Sequence, residues 1–209
     1  FVIENGIRVG IAGTFAETES GMLKDWNAVS FRLAREVIGC GDMLLPEMLS
    51  CSRGLLICGG VNSGKTTILR DLCRLCGDVC KVTLIDERNE ISAINVSEPS
   101  FDIGTHTDIL AGCSRADGIV RAIRTLSPVL IFCDEISTDE DAAAVLSGVG
   151  SGVRFAATVH AESYDDLKKR KIADKLISAG AFDTLVILEG SRSQGKIKEI
   201  RRAEKWLSG

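Results

Sequence analysis

Aromatic side chains are scarce in this chain of 209 residues, at 5% of the total. Single-stranded nucleic acid is held largely by stacking bases on such rings, so the shortage counts against that ligand class. Net charge is small as well, at -4. A chain with this balance does not wrap nucleic acid by bulk charge, although a local basic patch stays open. No apolar run approaches the ~18–20 residues that a membrane-spanning helix needs. The longest, such as Pro128 to Ile136, have the length of a buried strand. There is no internal repeat, no low-complexity tract and no visible signal peptide. The first residue is Phe1 rather than Met, so the sequence reads as a trimmed part of a longer protein.

What remains is an ordinary globular composition, 45% hydrophobic and 26% charged. The length suits one sizeable α/β domain with a small appendage. Eight cysteines read as thiols of a reducing compartment rather than as a disulfide framework. Cys73, Cys76 and Cys80 invite a metal reading. Their spacings of three and four, alongside Leu69 and Leu72, fit one face of a helix better, and no fourth ligand is obvious.

Residues 1–12 are expected to form a hairpin turning at Glu4-Asn5-Gly6. Asn27 to Ile38 reads as a strand running into a short helix, and a linker helix is expected around Met43 to Leu49. Residues 1–41 are assigned to the C-terminal part of a small N-terminal domain. From Arg53 onward short apolar runs alternate with helical periods. Strands are expected at Leu55 to Cys58, Val82 to Ile85, Val129 to Cys133, Phe155 to Val159 and Leu185 to Leu188. Helices fall at Thr66 to Cys76, Gly118 to Leu126 and from the Thr138 cap to about Val149, with Asp141 placed for a capping box. Such alternation implies an α/β fold, a mostly parallel sheet with helices on its faces. Asn89 to Asp117 is weakly patterned, and connections of that length inside a compact domain are usually functional.

Four segments carry chemistry. Gly59-Gly60-Val61-Asn62-Ser63-Gly64-Lys65-Thr66 fits the phosphate-loop pattern G-x-x-x-x-G-K-[ST], between a strand and an amphipathic helix. Its backbone N–H groups and the helix N-terminus suit phosphate. Lys65 is expected on the β/γ-phosphates, Thr66 on magnesium, and Thr67 within the same nucleotide site. In Val129 to Glu135 a buried strand ends in two carboxylates, at the sheet end where ligands of open α/β sheets bind. Asp134 is placed for the magnesium shell, and Glu135 for polarising an attacking water. A third segment, Leu84 to Glu90, is another acidic strand end. It offers Asp86 and Glu87 as catalytic carboxylates, or else is a solvated loop with internal Arg–Glu pairing. In the fourth, Phe155 to His160, Thr158 and His160 share a face; they can sense a γ-phosphate, or His160 is simply a hydrogen-bonded loop residue. Arg121 and Arg124 lie three apart on the helix before the second acidic strand. They read as arginine fingers across a subunit boundary or as a solvated face. Residues 42–209 are thereby read as a P-loop ATPase domain with a RecA-like core, using ATP and Mg2+.

In this order the four segments resemble the secretion ATPase superfamily, the hexameric motors of type II and type IV secretion and of type IV pili. The resemblance covers nearly the whole stretch from Arg53 to about Leu188. It puts Asp86, Glu87 and Glu90 in that family's Asp box and Thr158 and His160 in its His box, which favours a role for His160. Arg8 to Gly13, Ser30 to Glu36, Lys65 to Leu72 and Ile85 to Ile91 are similar to the stage III sporulation protein AA family. Those proteins are ATPases of a channel complex between mother cell and forespore. The resemblance implies a homohexamer, membrane proteins of that channel as partners, and a cytoplasmic location peripheral to the forespore membrane on the mother-cell side. Gly60-Val61-Asn62 departs from the family, which usually has a proline and a cysteine or glycine here. The departure should loosen the loop without removing a phosphate contact.

Three functions compete. A ring-forming motor at a membrane channel is preferred. A nucleic-acid-associated ATPase, like the plastid and cyanobacterial relatives, is disfavoured by the charge balance and the few aromatics. A scaffold that binds ATP without turnover is disfavoured by the two intact acidic strand ends.

Overall fold

A computed structural model describes residues 7–15, 23–33, 35–94 and 99–203. Strand β1 (Arg8–Phe15) pairs antiparallel with β2 (Leu23–Arg32) in a two-stranded sheet. The expected turn at Glu4-Asn5-Gly6 lies outside the described residues. Among the described residues the partner of Arg8–Phe15 is β2, a pairing the sequence reading did not include. The strand expected from Asn27 is present, but no helix follows it among the described residues up to Ile38. The connector is pinned open instead. The Arg35 carbonyl accepts from Arg70 at 2.8 Å, and the Glu36 carboxylate accepts the Asp102 N–H at 3.0 Å. Helix α1 (Leu45–Ser50) follows a 3-10 turn, Asp42–Leu44, where the linker helix was expected.

The main sheet has seven strands: β3 (Gly54–Gly59), β4 (Val82–Asp86), β5 (Thr107–Ala111), β6 (Leu130–Cys133), β7 (Arg154–His160), β8 (Thr184–Leu188) and β9 (Ile197–Arg202). Their order is β5-β4-β6-β7-β3-β8-β9, parallel except for β9, which runs antiparallel to β8. The helices are α2 (Lys65–Gly77), α3 (Arg115–Arg121), α4 (Asp139–Gly150), α5 (Tyr164–Lys169) and α6 (Lys171–Ser178). Alternate residues of each central strand serve opposite layers, as the two-residue period of a strand requires. Leu55 and Ile57 of β3, with Leu130 and Phe132 of β6, pack with Ile68, Leu69 and Leu72 of α2. Leu56 and Cys58, with Ile131 and Cys133, pack with α3, α4 and α6 through Ile119, Val145 and Leu176. The expected capping box closes α4: Thr138 Oγ1 accepts the Asp141 N–H at 3.1 Å, and Asp141 accepts the Thr138 N–H at 3.2 Å.

Two strands have no counterpart in the sequence reading. β5 lies inside the weakly patterned Asn89 to Asp117 stretch, and its residues are only partly covered because it is a sheet edge. β9 carries Lys198, Arg201 and Arg202 on the opposite edge, a charged composition that discourages pairing with another chain. Cys73 and Cys76 lie on the buried face of α2, as free thiols. Burial pushes the Cys76 thiol up to about 12.

Candidate active site

The phosphate loop leaves β3 at Gly59 and re-enters helix at Lys65. Its backbone needs two left-handed positions. Asn62 takes one at φ 57, which an asparagine tolerates better than most side chains. Gly64 takes the other at φ 96, and a Cβ there would stand 2.7 Å from the Gly195 nitrogen. That close approach exists because the β8–β9 loop lies against the phosphate loop, with Gly195 N–H donating to Ser63 O at 2.8 Å. Ser63 is buried and its hydroxyl donates to Gly60 O at 2.8 Å. The Lys65 ammonium folds back over the loop, donating to Gly59 O at 2.8 Å and to Gly60 O at 2.7 Å. Burial lowers its pKa from the usual lysine range, against the opposing pull of Asp134 and Glu135. An ammonium at this place suits the charge of a polyphosphate.

The acidic end of β6 meets the loop directly. Thr66 Oγ1 donates to Asp134 Oδ2 at 2.7 Å. The other oxygen, Oδ1, accepts from the Thr158 hydroxyl of neighbouring β7. Thr158 Oγ1 in turn accepts the Glu135 N–H at 2.8 Å. Thr158 is thus buried behind Asp134 and fixes both carboxylate residues through one hydroxyl. Glu135 has a left-handed backbone, φ 51, and its half-exposed carboxylate lies 3.6 Å from Arg88. A hydroxyl and a carboxylate in contact, facing an ammonium-bearing loop, form a donor set that suits a hard divalent cation beside phosphate.

The third acidic segment splits its carboxylates between two tasks. Asp86 is buried, and its oxygens accept the N–H groups of Glu90, Ile91 and Ser92 at 2.9, 3.0 and 2.8 Å, and the Ser92 hydroxyl at 2.8 Å. Burial raises its pKa above the usual carboxylate range, while the Ser92 and Ile91 donors pull it down. Asp86 therefore folds the turn that follows β4. Glu87 faces the cleft and accepts from Arg115 at 2.9 Å. Arg115, at the start of α3, is 7% exposed and also donates to Asp141 at 2.8 Å.

Lys65, Thr66, Thr67, Asp86, Glu87, Asp134, Glu135 and His160 all line one cleft of about 510 Å³, with Val61, Asn62, Ser63 and Gly64. His160 closes β7 beside Gly59, its register partner on β3, and its buried Nδ1 has no hydrogen-bond partner. Arg121 and Arg124 do not line this cleft. Both are exposed, and Arg121 pairs with Asp117 at 2.7 Å. The sequence reading missed Arg8, Arg32 and Arg35, three residues of the N-terminal segment that line the cleft. Arg8 is ion-paired with Glu90. Arg115 was missed as well. Its one legible sign was its place directly after Ser114, a helix cap whose hydroxyl accepts the Asp117 N–H.

Comparison with known families decides the affiliation. The family described as sporulation stage III, protein AA matches residues 1–205. The chain belongs to this family. It is 34% identical over 207 residues to stage III sporulation protein AA of Bacillus subtilis (strain 168), covering 95% of this chain and 67% of that protein. Among solved structures, the Legionella pneumophila ATPase DotB superposes with a TM-score of 0.63 at 16% identity, over 87% of this chain and 53% of that one. The pilus retraction motor PilT, solved with ADP, gives 0.59 at 14% identity, over 88% of this chain and 58% of that one. At such identities the likeness is one of fold, an α/β arrangement around a mostly parallel sheet. This chain spans about half the length of those structural neighbours. Among the described residues, no helix is long and apolar enough to cross a membrane.

Proposed function

We propose that this family member hydrolyses ATP with Mg2+ and works as a ring-forming motor at a sporulation channel between mother cell and forespore. The observation that carries the reading is the 2.7 Å contact of Thr66 with Asp134, which joins the phosphate loop to the acidic strand end at one point of the cleft. Backbone N–H groups from Gly59 to Thr67 and the Lys65 ammonium hold the phosphates. Thr66 and Asp134 hold the cation. Bound Mg2+ supplies charge neutralisation on the phosphate oxygens. Glu135 accepts a proton from the attacking water, and Glu87 is the second candidate for that task. Asp86 positions Glu87. His160 contacts the terminal phosphate, a role supported by its place in the lining of the cleft. Arg8, Arg32 and Arg35 add positive charge over the cleft, whereas Arg121 and Arg124 act from the ring interface.

The remaining assignments follow the same reading. Residues 1–41 end a small N-terminal domain and residues 42–209 form the ATPase domain. The subunits form a homohexamer on the cytoplasmic, mother-cell side of the forespore membrane, docked to channel membrane proteins. The deciding experiment measures phosphate release and solution mass, each with and without ATP and Mg2+ and with and without single-stranded DNA. Hydrolysis by a hexamer indifferent to DNA supports the motor. Strong stimulation by DNA favours a translocase on single strands instead, and binding without turnover favours a scaffold.

A further inference from the structure

Arg70 lies one helical turn beyond Thr66 on α2, and it is 3% exposed. Its guanidinium spends its donors on three backbone carbonyls from distant parts of the chain. Nε donates to Ile91 O at 2.7 Å, Nη2 to Glu90 O at 2.6 Å and Nη1 to Arg35 O at 2.8 Å. The Phe101 ring covers the flat face of the group, with its centroid 4.5 Å away. Among the described residues, no carboxylate is in hydrogen-bond contact with it. A buried cation hydrogen-bonded to carbonyls rather than to a carboxylate is a costly arrangement for stability alone, since a well-packed apolar side chain avoids the desolvation. What carbonyl ligation does supply is position, because it fixes main chain rather than neutralising a side chain.

We propose that Arg70 is a positioning residue, which locks the turn carrying Glu87 to the helix carrying the phosphate loop. The proposal rests on the functional reading above. The turn after β4 is clamped from two sides. Its N–H groups at Glu90 and Ile91 go to Asp86, the last residue of β4, and its carbonyls at the same two residues go to Arg70 on α2. Glu87 lies inside this clamped turn and reaches Arg115. The third carbonyl belongs to Arg35 of the connector, a residue that itself lines the cleft. One side chain therefore keeps the phosphate loop, Glu87 and the N-terminal connector in register. A lysine cannot substitute, because a single ammonium neither spans three diverging carbonyls nor stacks on a ring as a planar guanidinium does.

The test is Arg70→Lys, followed by hydrogen exchange and by kinetics. Amides of Glu90, Ile91 and Ser92 should exchange about tenfold faster, while β3 and β6 keep their protection. In the same preparation kcat should fall about tenfold or more, with the Kd for a non-hydrolysable ATP analogue changing less than about threefold. Unchanged exchange at those three amides overturns the proposal, and so does loosening spread evenly over the sheet. Should Arg70→Lys not fold, Phe101→Leu keeps the guanidinium and its acceptors but removes the ring. It should speed the same amides by about threefold, and no change there overturns the proposal. A wild-type protein without ATPase activity defeats the functional reading alone, because the exchange result still decides whether Arg70 clamps the turn.

Discussion

The Thr158 hydroxyl donates its proton to Asp134 and, with the same oxygen, accepts the N–H of Glu135 at 2.8 Å. A residue on β7 thus sets both carboxylates at the end of β6. Thr158→Val keeps shape and burial but leaves the Asp134 oxygen and the Glu135 N–H without this partner. A loss of about 1–3 kcal/mol in unfolding free energy is expected, together with a raised Mg2+ requirement for turnover. Denaturant unfolding and a magnesium titration on one preparation check both. A variant with unaltered stability and magnesium dependence would show that the hydroxyl does not organise the site.

Lys65→Ala removes the ammonium that lies over the Gly59 and Gly60 carbonyls. Loss of about 10²-fold or more in kcat/KM is expected, by comparison with other preorganised donors at developing charge. Steady-state phosphate release measures it, and wild-type turnover by this variant sinks the phosphate-loop assignment.

Glu135 and Glu87 compete for the role of base, and the structure gives them different surroundings. Glu135 is half-exposed near Arg88, whereas Glu87 is tied to a buried arginine. Both carboxylates face an arginine, but Glu135 directly follows Asp134, which touches Thr66 of the loop. Glu135→Gln should therefore bind ATP and hydrolyse it about 10²–10⁴-fold more slowly. The opposite result, normal hydrolysis by Glu135→Gln and a collapse in Glu87→Gln, moves the base to the turn after β4.

Arg115→Ala leaves the buried Asp141 without its cation. Breaking a buried pair from one side costs about 3–5 kcal/mol, so a large drop in melting temperature is the expected outcome. Arg115→Ala combined with Asp141→Asn should recover part of the loss, and thermal unfolding of the single and double variants measures the coupling.

Arg124 is exposed and outside the cleft of its own chain. If it acts from the ring interface, Arg124→Ala lowers turnover more than ATP affinity, and wild-type specific activity rises with protein concentration. Strictly linear activity that ignores the substitution rules out this role.

Much of the site was legible because its segments are local. The phosphate loop, the two acidic strand ends and the Thr-x-His pair each occupy a few consecutive residues at the end of an apolar strand. Strand ends on one edge of a parallel sheet converge on one cleft, as the neighbours β6 and β7 do. β5 and β9 escaped notice because edge strands bury little, so their apolar residues are few and mixed with polar and charged ones. Among the described residues no helix follows β2, where tertiary partners take the Arg35 carbonyl and the Glu36 carboxylate.

The sequence by itself determined the α/β architecture, the glycine-rich loop before α2 and the family to which the chain belongs. These are fixed by patterns of period and by motifs whose residues are neighbours in the chain. Only the tertiary structure decided what each polar side chain does. Asp86 and Glu87 are adjacent, yet one folds a turn and the other faces the cleft. Thr158 and His160 share a face, yet one is buried behind Asp134 and the other lines the cleft. Arg70 and Arg115 look like ordinary helix-surface arginines, because the carbonyls and carboxylates that make them matter come from segments 20 to 35 residues away. A hydrogen-bond partner at that separation leaves no periodic trace, so burial and partnership had to be read from the folded chain.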